Sequence, residues 1–379
     1  MNDVIKNRSE IVFLYDVTNA NPNGDPDENK PRMDEGTDIN LVSDTRLKRT
    51  VRDYMAFRRK ESSNNGGYRI FVLPERKEDG TVKTKGERVS EIVKQHPEFI
   101  RERKGKKKIV DGKKLEEYLK KEYIDLRLFG ATLALGEEAT VPSDDFNEAD
   151  NSGPIAEEDA HKAKGAKDEI SIDTMKWMGP VQFKFGHSLH KVEPVLLKGT
   201  TVESSEVGKT MGTFTEFWYV PYSLIAFSGI VNEVNGEDMG VSDSDVSYLL
   251  DALWNGTKGL ITRSKVGQVP RLLMQVVYDG HFHIGNIDRD ISLAHNDGKK
   301  IALSDNDGKF LRSISDLQVD LTGLISHINR NIKRVKELKL AVDSQVSFKI
   351  EEETVSADHL LDALMEHVGH GVKVTPLTF

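Results

Sequence analysis

The clearest chemical signal in this sequence is a group of cations that follows a loop rich in asparagine and glycine. The loop starts with NANPNGD at residues 19–25, and a helix that Ser43 or Asp44 caps comes after it. Backbone N–H groups, amide side chains and guanidinium groups are the donors that bind phosphodiesters. The pattern predicts contact with a nucleic-acid backbone, although a solvated helix face would carry the same charges. The candidate binding residues here are Asn21, Asn23, Gly24, Arg32, Arg46, Lys48, Arg49 and Arg52.

A second cluster of cations lies in TRSKVGQVPR, residues 262–271, which its Gly and Pro mark as a loop. Loop cations beside small residues can approach a phosphate backbone closely, although they can equally be plain surface charges. Residues 199–214 are small and polar, and there Lys209 stands on a glycine-flanked arm from which it can contact a phosphate as a point charge. These two segments add the candidates Arg263, Lys265, Gln268, Arg271 and Lys209.

Motifs for metals, nucleotides and covalent catalysis fail on specific residues. The loop at 19–30 begins like a calcium-binding EF-hand, but Lys30 stands where the twelfth position requires a bidentate Glu. VGKT at 207–210 resembles the end of a P-loop, but Glu203 replaces its first glycine. The sequence has no cysteine, which excludes thiolate chemistry. Two histidine pairs lack a carboxylate at metal-ligand spacing, His187 with His190 and His281 with His283. We therefore expect no metal, no cofactor and no catalytic residue.

Charge is segregated along the 379 residues. Nine acids and no Lys or Arg lie between Leu135 and Ala160, a sum that equals the formal net charge of −9 for the whole chain. Residues 101–121, by contrast, hold ten Lys or Arg against four acids. A protein that separates its charges in this way can hold a polyanion on one face. No apolar run approaches the roughly 20 residues of a membrane helix, and no signal-peptide pattern opens the sequence, so we expect a cytoplasmic protein without a membrane partner.

Hydrophobic periodicity predicts an α+β fold. Apolar or alternating runs indicate strands at 10–17, 179–194, 216–231, 272–278 and 372–377. Amphipathic patterns indicate helices from residue 44, at 243–260, at 314–340 and at 356–368. Since these elements alternate without a strict β-α-β rhythm, an antiparallel sheet backed by helices and carrying insertions follows.

Four segments together resemble the CRISPR-associated Cas-seven (Cas7) family, in its Csh/Csd branch. The most specific is YDVTNANPNGDPDENKPRMDEGTDINLVSDTRLKRTVRDYM, Tyr15 to Met55. IDLRLFGATLALG (Ile124 to Gly136), GPVQFKFGHSLHKVEP (Gly179 to Pro194) and TMGTFTEFWYVPYSLIAFSGIVN (Thr210 to Asn232) follow in the expected order. The resemblance implies the backbone subunit of a type I Cascade complex, I-B-like or possibly I-C, without nuclease activity. Copies would stack head to tail along CRISPR RNA, beside other Cascade subunits, and would leave the guide free to pair with target DNA.

The resemblance also implies an architecture: an RRM-like (ferredoxin-like) palm, a finger-like insertion and a thumb-like β-arm. Carried onto this sequence, the palm spans 1–60, which holds the RNA-gripping loop and helix, 122–184, which holds an acidic loop at 137–168, and 216–379. The basic finger spans 61–121 and the thumb spans 185–215. Lys209 and Met211 then lie near the tip of the thumb, where a flexible Met can wedge against a displaced base.

Two other functions fit the same residues. A type III-like backbone subunit would cut target RNA with a loop aspartate and a metal ion, for which Asp34 or Asp38 is available. A generic RRM-like RNA-binding protein would act as a monomer and show no length-dependent stoichiometry on RNA.

Overall fold

The computed structural model describes residues 4–61, 68–103, 107–133, 140–142, 169–200, 214–296, 304 and 306–379. The chain forms two compact units, Met1–Ser63 with Pro180–Phe379, here the sheet unit, and Asn64–Gly179, here the inserted unit. Its α-helices are α1 (Asp44–Glu61), α2 (Lys85–Gln95), α3 (Gly112–Glu122), α4 (Ile124–Phe129), α5 (Glu233–Met239), α6 (Asp243–Lys258), α7 (Thr322–Arg330) and α8 (Leu360–His367).

The strands are short except for three that form the centre of the largest sheet. In chain order they are β1 (Ser9–Ala20), β2 (Met33–Asp34), β3 (Ile39–Val42), β4 (Ile100–Arg103), β5 (Lys107–Val110), β6 (Gly130–Leu133), β7 (Thr140–Pro142), β8 (Glu169–Ser171), β9 (Met175–Met178), β10 (Val181–Phe183), β11 (Gly186–Lys191), β12 (Val195–Thr200), β13 (Phe214–Val231), β14 (Gln268–Tyr278), β15 (Ser292–His295), β16 (Leu317–Asp320), β17 (Val335–Val342), β18 (Ser347–Ile350), β19 (Glu353–Ser356) and β20 (Lys373–Pro376). The predicted α+β class is confirmed.

The sheet unit is built on a ten-stranded sheet with the order β2-β3-β11-β13-β1-β14-β17-β20, and β10 and β12 also pair with β13. Strand β1 lies at its centre because its apolar residues are buried on both faces. It pairs antiparallel with β13 and β14, so that Phe13 faces both Phe227 and Leu273. Gly186 lets β11 lie close to the ring of Phe227 on the neighbouring strand β13, since a Cβ there would lie 2.3 Å from that ring.

Both faces of this sheet are covered. A second, four-stranded sheet with the order β15-β16-β18-β19 and the helices α7 and α8 enclose one apolar core with alternate residues of the large sheet, such as Leu14 and Met274. Helix α1 packs against α6, which in turn contacts β14. The side chains of Leu47, Val51 and Met55 form the buried stripe of α1, as their spacing predicts. This stripe fixes which α1 residues can face solvent or a ligand.

The predicted long helix at 314–340 is wrong. The segment contains β16, α7 and β17, because Asp320 ends the first strand and its carboxylate accepts the Thr322 N–H at 2.9 Å at the start of α7. The sequence VKELKLAV at 335–342 then alternates apolar and polar residues and pairs with β14. Pairing on a half-buried sheet outweighed the helix propensity of its Lys, Glu and Leu residues.

The inserted unit contains α2, α3, α4 and three two-stranded sheets, β4-β5, β6-β9 and β7-β8. Within this unit, Asp125 in α4 binds the chain segment that precedes α2. Its fully buried carboxylate accepts the N–H groups of Phe71 (2.8 Å) and Val72 (2.9 Å). The predicted finger boundary at 121 therefore falls inside this compact unit, which continues to Gly179. The expected acidic loop at 137–168 lies outside the described residues except for 140–142.

Candidate nucleic-acid interface

The Asn/Gly-rich loop is closed by its own side chains. The Asn21 amide donates to the Asn29 carbonyl at 2.6 Å, and the backbone of Asp25 donates to the Lys30 carbonyl at 2.8 Å. A Cβ on Gly24 would lie 1.9 Å from the Asn29 side chain, so this glycine allows Asn29 to pack closely in the loop, and its contact with RNA remains a prediction. The amides of the loop are therefore engaged in shaping it.

Asn23 connects this loop to the start of α1. Its Oδ1 accepts both the backbone N–H of Ser43 (2.9 Å) and the Ser43 hydroxyl (3.0 Å), while the Ser43 hydroxyl accepts the Arg46 N–H at 3.2 Å. The predicted Ser43 cap of the helix is confirmed. Asn23 thus connects the loop that follows β1 to the first turn of α1.

The 262–268 loop is attached to the same place. The backbone N–H of Asn21 donates to the Ser264 carbonyl at 2.9 Å, and the ammonium of Lys265 donates to the Asn21 carbonyl. Two of the three predicted segments therefore meet, because both are tied to Asn21 at the end of β1.

Arg46 and Lys265 form the centre of this meeting point, and both are half-buried. The Arg46 guanidinium donates to the Thr50 hydroxyl at 3.1 Å. Within the part of the chain that the structure describes, neither side chain forms an ion pair with a carboxylate. Burial, together with the positive charge of Arg46, lowers the pKa of Lys265 to about 8. Burial also lowers the pKa of Arg46. Two cations are thus held together where water solvates them poorly, which favours an incoming anion.

The next two cations of α1, Lys48 and Arg49, each have a carboxylate partner. Lys48 lies 3.0 Å from Asp44, and Arg49 lies 2.7 Å from Asp53, both as pairs four residues apart on the helix. Arg52 is buried. These three predicted contacts remain predictions, but a phosphate would have to compete with an existing partner at Lys48 and Arg49.

Arg271 has a different role from its neighbours in sequence. It is 7% exposed, and its guanidinium lies 2.9 Å from the buried carboxylate of Asp16 and also contacts Asp343. Asp16 raises the pKa of Arg271 against the opposing effect of burial. Gln268 is buried in β14 opposite Val17. Both residues therefore belong to the interior of the sheet unit.

Two cations lie over aromatic rings at the base of the β12–β13 arm, Arg263, which the sequence predicted as a binding residue, and Lys30, which it did not. The guanidinium of Arg263 lies 5.3 Å from the ring centre of Phe217, and the ammonium of Lys30 lies 5.4 Å from that of Trp218. Lys30, Phe217 and Trp218 were not among the binding residues predicted from the sequence. The segment EFWYV at 216–220 is apolar and aromatic, which is typical of a buried strand. Strand alternation was the available signal, since it places adjacent aromatics on opposite faces.

The remaining predicted residues are dispersed or undescribed. Arg32 is exposed and lines a cleft of about 310 Å³ together with Lys30, Met33 and Phe185. Lys209 and Met211 lie outside the described residues, as does most of the predicted thumb tip. The part of the thumb that is described, β11 and β12, pairs with β13.

The alternative catalytic aspartates have structural partners. Asp38 lies 2.9 Å from Lys309, whose charge lowers the pKa of Asp38. Asp34 accepts the Gly36 N–H at 3.1 Å. Across the described ranges, no three His, Asp or Glu side chains come together as a metal site would require. The described helices are also too short or too polar to cross a membrane.

The described sheet unit is thus an α+β fold in which two half-buried cations, Arg46 and Lys265, lie beside the end of a central strand. The sequence identifies the family, because the profile of the family CRISPR-associated protein Cas7 matches residues 7–322. A protein named CRISPR-associated protein Cas7 from Haloferax volcanii is 29% identical over 372 residues, which cover 97% of this chain and 95% of the relative. The chain belongs to the Cas7 family, and the resemblance inferred from its motifs is confirmed.

Two solved structures also match this chain, with low scores. A chain of a CRISPR RNA-guided surveillance complex, pre-nicking, superposes with a TM-score of 0.47 at 14% identity, covering 96% of this chain and 100% of that chain. A chain of a second CRISPR RNA-guided surveillance complex gives 0.43 at 13% identity, covering 88% of each. Both scores are below 0.5, so family membership rests on the sequence matches.

Proposed function

We propose that this protein is a non-catalytic backbone subunit of a type I, I-B-like CRISPR Cascade complex, and that it holds CRISPR RNA by its phosphates. The observation that carries the proposal is the Arg46–Lys265 pair, two half-buried cations without a carboxylate partner among the described residues of a Cas7-family chain. Phosphodiesters supply the missing negative charge, and guanidinium and ammonium groups bind them without reading the base.

A guide RNA must keep its base edges available for pairing with target DNA. Contact through phosphate and ribose meets this requirement, and the place where the two tied loops approach α1 offers two cations for it, Arg46 and Lys265. In this proposal the sheet unit supplies an RRM-like palm, the inserted unit supplies the finger, and the β12–β13 arm is the base of the thumb. Copies bind head to tail along the RNA, beside other Cascade subunits.

The absence of catalysis is part of the same proposal. Asp38, the stronger candidate for a metal-binding catalytic aspartate, is ion-paired with Lys309. A carboxylate that already has a cationic partner is a poorer ligand for a divalent ion, since binding would require that pair to break. We therefore prefer the scaffold to an RNA-cutting subunit.

The test removes one positive charge at a time, from Arg46 or Arg49 in helix α1 and from Lys265 in the 262–268 loop. Arg46→Ala and Lys265→Ala are expected to weaken binding of single-stranded RNA equally for unrelated sequences, and each should reduce the salt dependence of the affinity by about one ion. Arg49→Ala is the comparison within the same helix: Arg49 is also a predicted RNA contact, but it is paired with Asp53, so its loss should weaken binding less than the loss of Arg46. Fluorescence anisotropy over a range of salt concentrations measures both quantities.

Equal losses for Arg46→Ala and Arg49→Ala would contradict the assignment, and a loss confined to certain sequences would contradict backbone recognition. Native mass spectrometry on RNAs of increasing length tests assembly: the number of bound copies should rise in regular steps with RNA length. A constant single copy would favour the monomeric RNA-binding protein instead.

A further inference from the structure

We propose that RNA binding at the Arg46–Lys265 pair is coupled to uptake of one proton by Lys265, so that the affinity for RNA falls as the pH rises above neutrality. The inference rests on the proposed function and adds a mode of regulation to the same site. Three features support it: the hydrogen bonds that hold Lys265, the charges that face it, and the negative charge that a bound phosphate would place beside it.

Lys265 is held in place at both its backbone and its side chain. The Thr262 carbonyl accepts the N–H groups of Lys265 (3.1 Å) and Val266 (2.9 Å), which closes the loop into a turn. The same loop is anchored where Ser264 accepts the Asn21 N–H, and the ammonium of Lys265 then returns to the carbonyl of Asn21. The ammonium is therefore held at a half-buried position by a hydrogen bond to a backbone carbonyl.

The charges around Lys265 do not compensate it. Arg46 faces it from α1, and its like charge disfavours the ammonium. From β1, the buried phenol of Tyr15 faces Arg46, and burial raises the pKa of that phenol, so it stays neutral. Asp53 acts on Arg46 but is itself bound by Arg49 at 2.7 Å.

On the loop that carries Lys265, the charged neighbour is Arg263, which stacks over the ring of Phe217. The only hydrogen bond that the described residues offer the ammonium is therefore to a neutral carbonyl. A carbonyl binds the charged lysine less strongly than a carboxylate would, and this leaves both protonation states accessible.

In the RNA-free protein, Lys265 consequently loses its proton at a lower pH than an ordinary lysine, since its pKa is about 8. A phosphate bound between Lys265 and Arg46 adds negative charge and a charge-assisted hydrogen bond, which restores the ammonium. Binding and protonation are then linked, and if the bound ammonium stays charged throughout, the affinity should decrease about tenfold between about pH 7 and about pH 9.

Two kinds of side chain that could titrate near this interval are accounted for. The sequence has no cysteine, and burial lowers the pKa values of His190 and His187, which moves both away from the interval. Oligoadenylate is the appropriate probe, because neither adenine nor the phosphodiester changes its charge between about pH 7 and about pH 9, and the readout therefore reports on the protein.

The experiment measures binding of oligoadenylate to the full chain at constant ionic strength, at about pH 7, 8 and 9. Wild type should lose about tenfold in affinity, whereas Lys265→Arg, whose guanidinium stays charged, should show a nearly flat profile. Lys265→Met should bind weakly at every pH with the same flat profile. Calorimetry near pH 8 in buffers of different ionisation enthalpy should detect proton uptake by wild type but not by Lys265→Arg.

Three results would overturn the inference. A flat profile for wild type would do so, and so would an equal pH dependence in wild type and in Lys265→Arg, since the titrating group would then lie elsewhere. Both outcomes would leave the proposed function standing, because RNA would still bind at neutral pH. Failure of wild type to bind oligoadenylate at any pH would instead overturn the proposed function and this inference together.

Discussion

Replacing Arg271 with methionine is expected to destabilise the fold while leaving Arg46 and Lys265, the proposed RNA-binding pair, in place. Methionine keeps much of the volume of the arginine stem but removes the charge, so the buried carboxylate of Asp16 loses its partner at 2.9 Å. Arg271 is 7% exposed and Asp16 is 1% exposed, which means that water cannot replace the guanidinium without opening the sheet. The variant therefore tests whether Arg271 is structural.

The expected loss follows from this burial. Removing one partner of a buried ion pair typically costs about 3–5 kcal/mol, because the other charge is left uncompensated. Burial already raises the pKa of Asp16 while Arg271 opposes that rise, so the variant should have a still higher Asp16 pKa in the folded state. A raised folded pKa means that stability is present at low pH and is lost as the pH rises. The destabilisation should therefore be larger near neutral pH than near about pH 4.

Urea denaturation followed by circular dichroism measures this loss. Asp16→Asn combined with Arg271→Met should be less destabilised than Arg271→Met alone, since the stranded charge is gone. Lys265→Met is the matched control, because it removes a cation that lacks a carboxylate partner in the described structure and should barely lower stability. If Arg271→Met folded as stably as Lys265→Met and lost RNA affinity to the same extent, the separation of structural from RNA-binding cations would be refuted.

Three further predictions concern other parts of the sheet unit. Burial lowers the pKa of His190 to about 4, so folding excludes its proton, and the free energy of unfolding should fall by about 3 kcal/mol as the pH drops from about 6.5 to about 4; His190→Gln should flatten that profile in urea titrations. Asn23→Ala removes the acceptor of the Ser43 N–H and should cost about 1 kcal/mol by thermal unfolding, whereas Asn23→Asp should retain most of the stability. Incubation of the assembled protein with complementary RNA and magnesium should leave the RNA intact; regularly spaced cuts that disappear in Asp38→Ala would instead establish the enzymatic alternative.

The parts of the fold that the sequence predicts are those where local signals and packing agree. For α1, the Ser43 cap and the spacing of Leu47 and Val51 indicate the same helix that the structure contains. The error at 314–340 has the opposite origin, because residues with good helix propensity at 335–342 pair with a distant strand. Sheet pairing of this kind depends on partners far away in the sequence, which a local pattern does not reveal.

The candidate site also depends on contacts between distant parts of the sequence, which a local pattern does not reveal. Lys265 and Arg271 lie six positions apart in one basic segment, and composition gives no reason to separate them. What separates them is Asp16, a carboxylate on β1 that β14 brings beside Arg271 and not beside Lys265. The loop amides of Asn21 and Asn23 were likewise predicted as ligands from their type; in the structure both also form hydrogen bonds that shape the loop, and their contact with RNA remains a prediction.

A shortage of acids does not explain why Arg46 and Lys265 lack carboxylate partners. The sequence has 62 Asp and Glu against 53 Lys and Arg, so counter-charges are available throughout the chain. Nearby acids do pair with Lys48 and Arg49 on the same helix, and Asp16 and Asp343 both pair with Arg271. Leaving two half-buried cations side by side is unfavourable for folding, and in the proposed function a bound phosphate offsets that cost. The selective neutralisation of their neighbours is therefore stronger evidence for a phosphate-binding role than the number of cations in the segment.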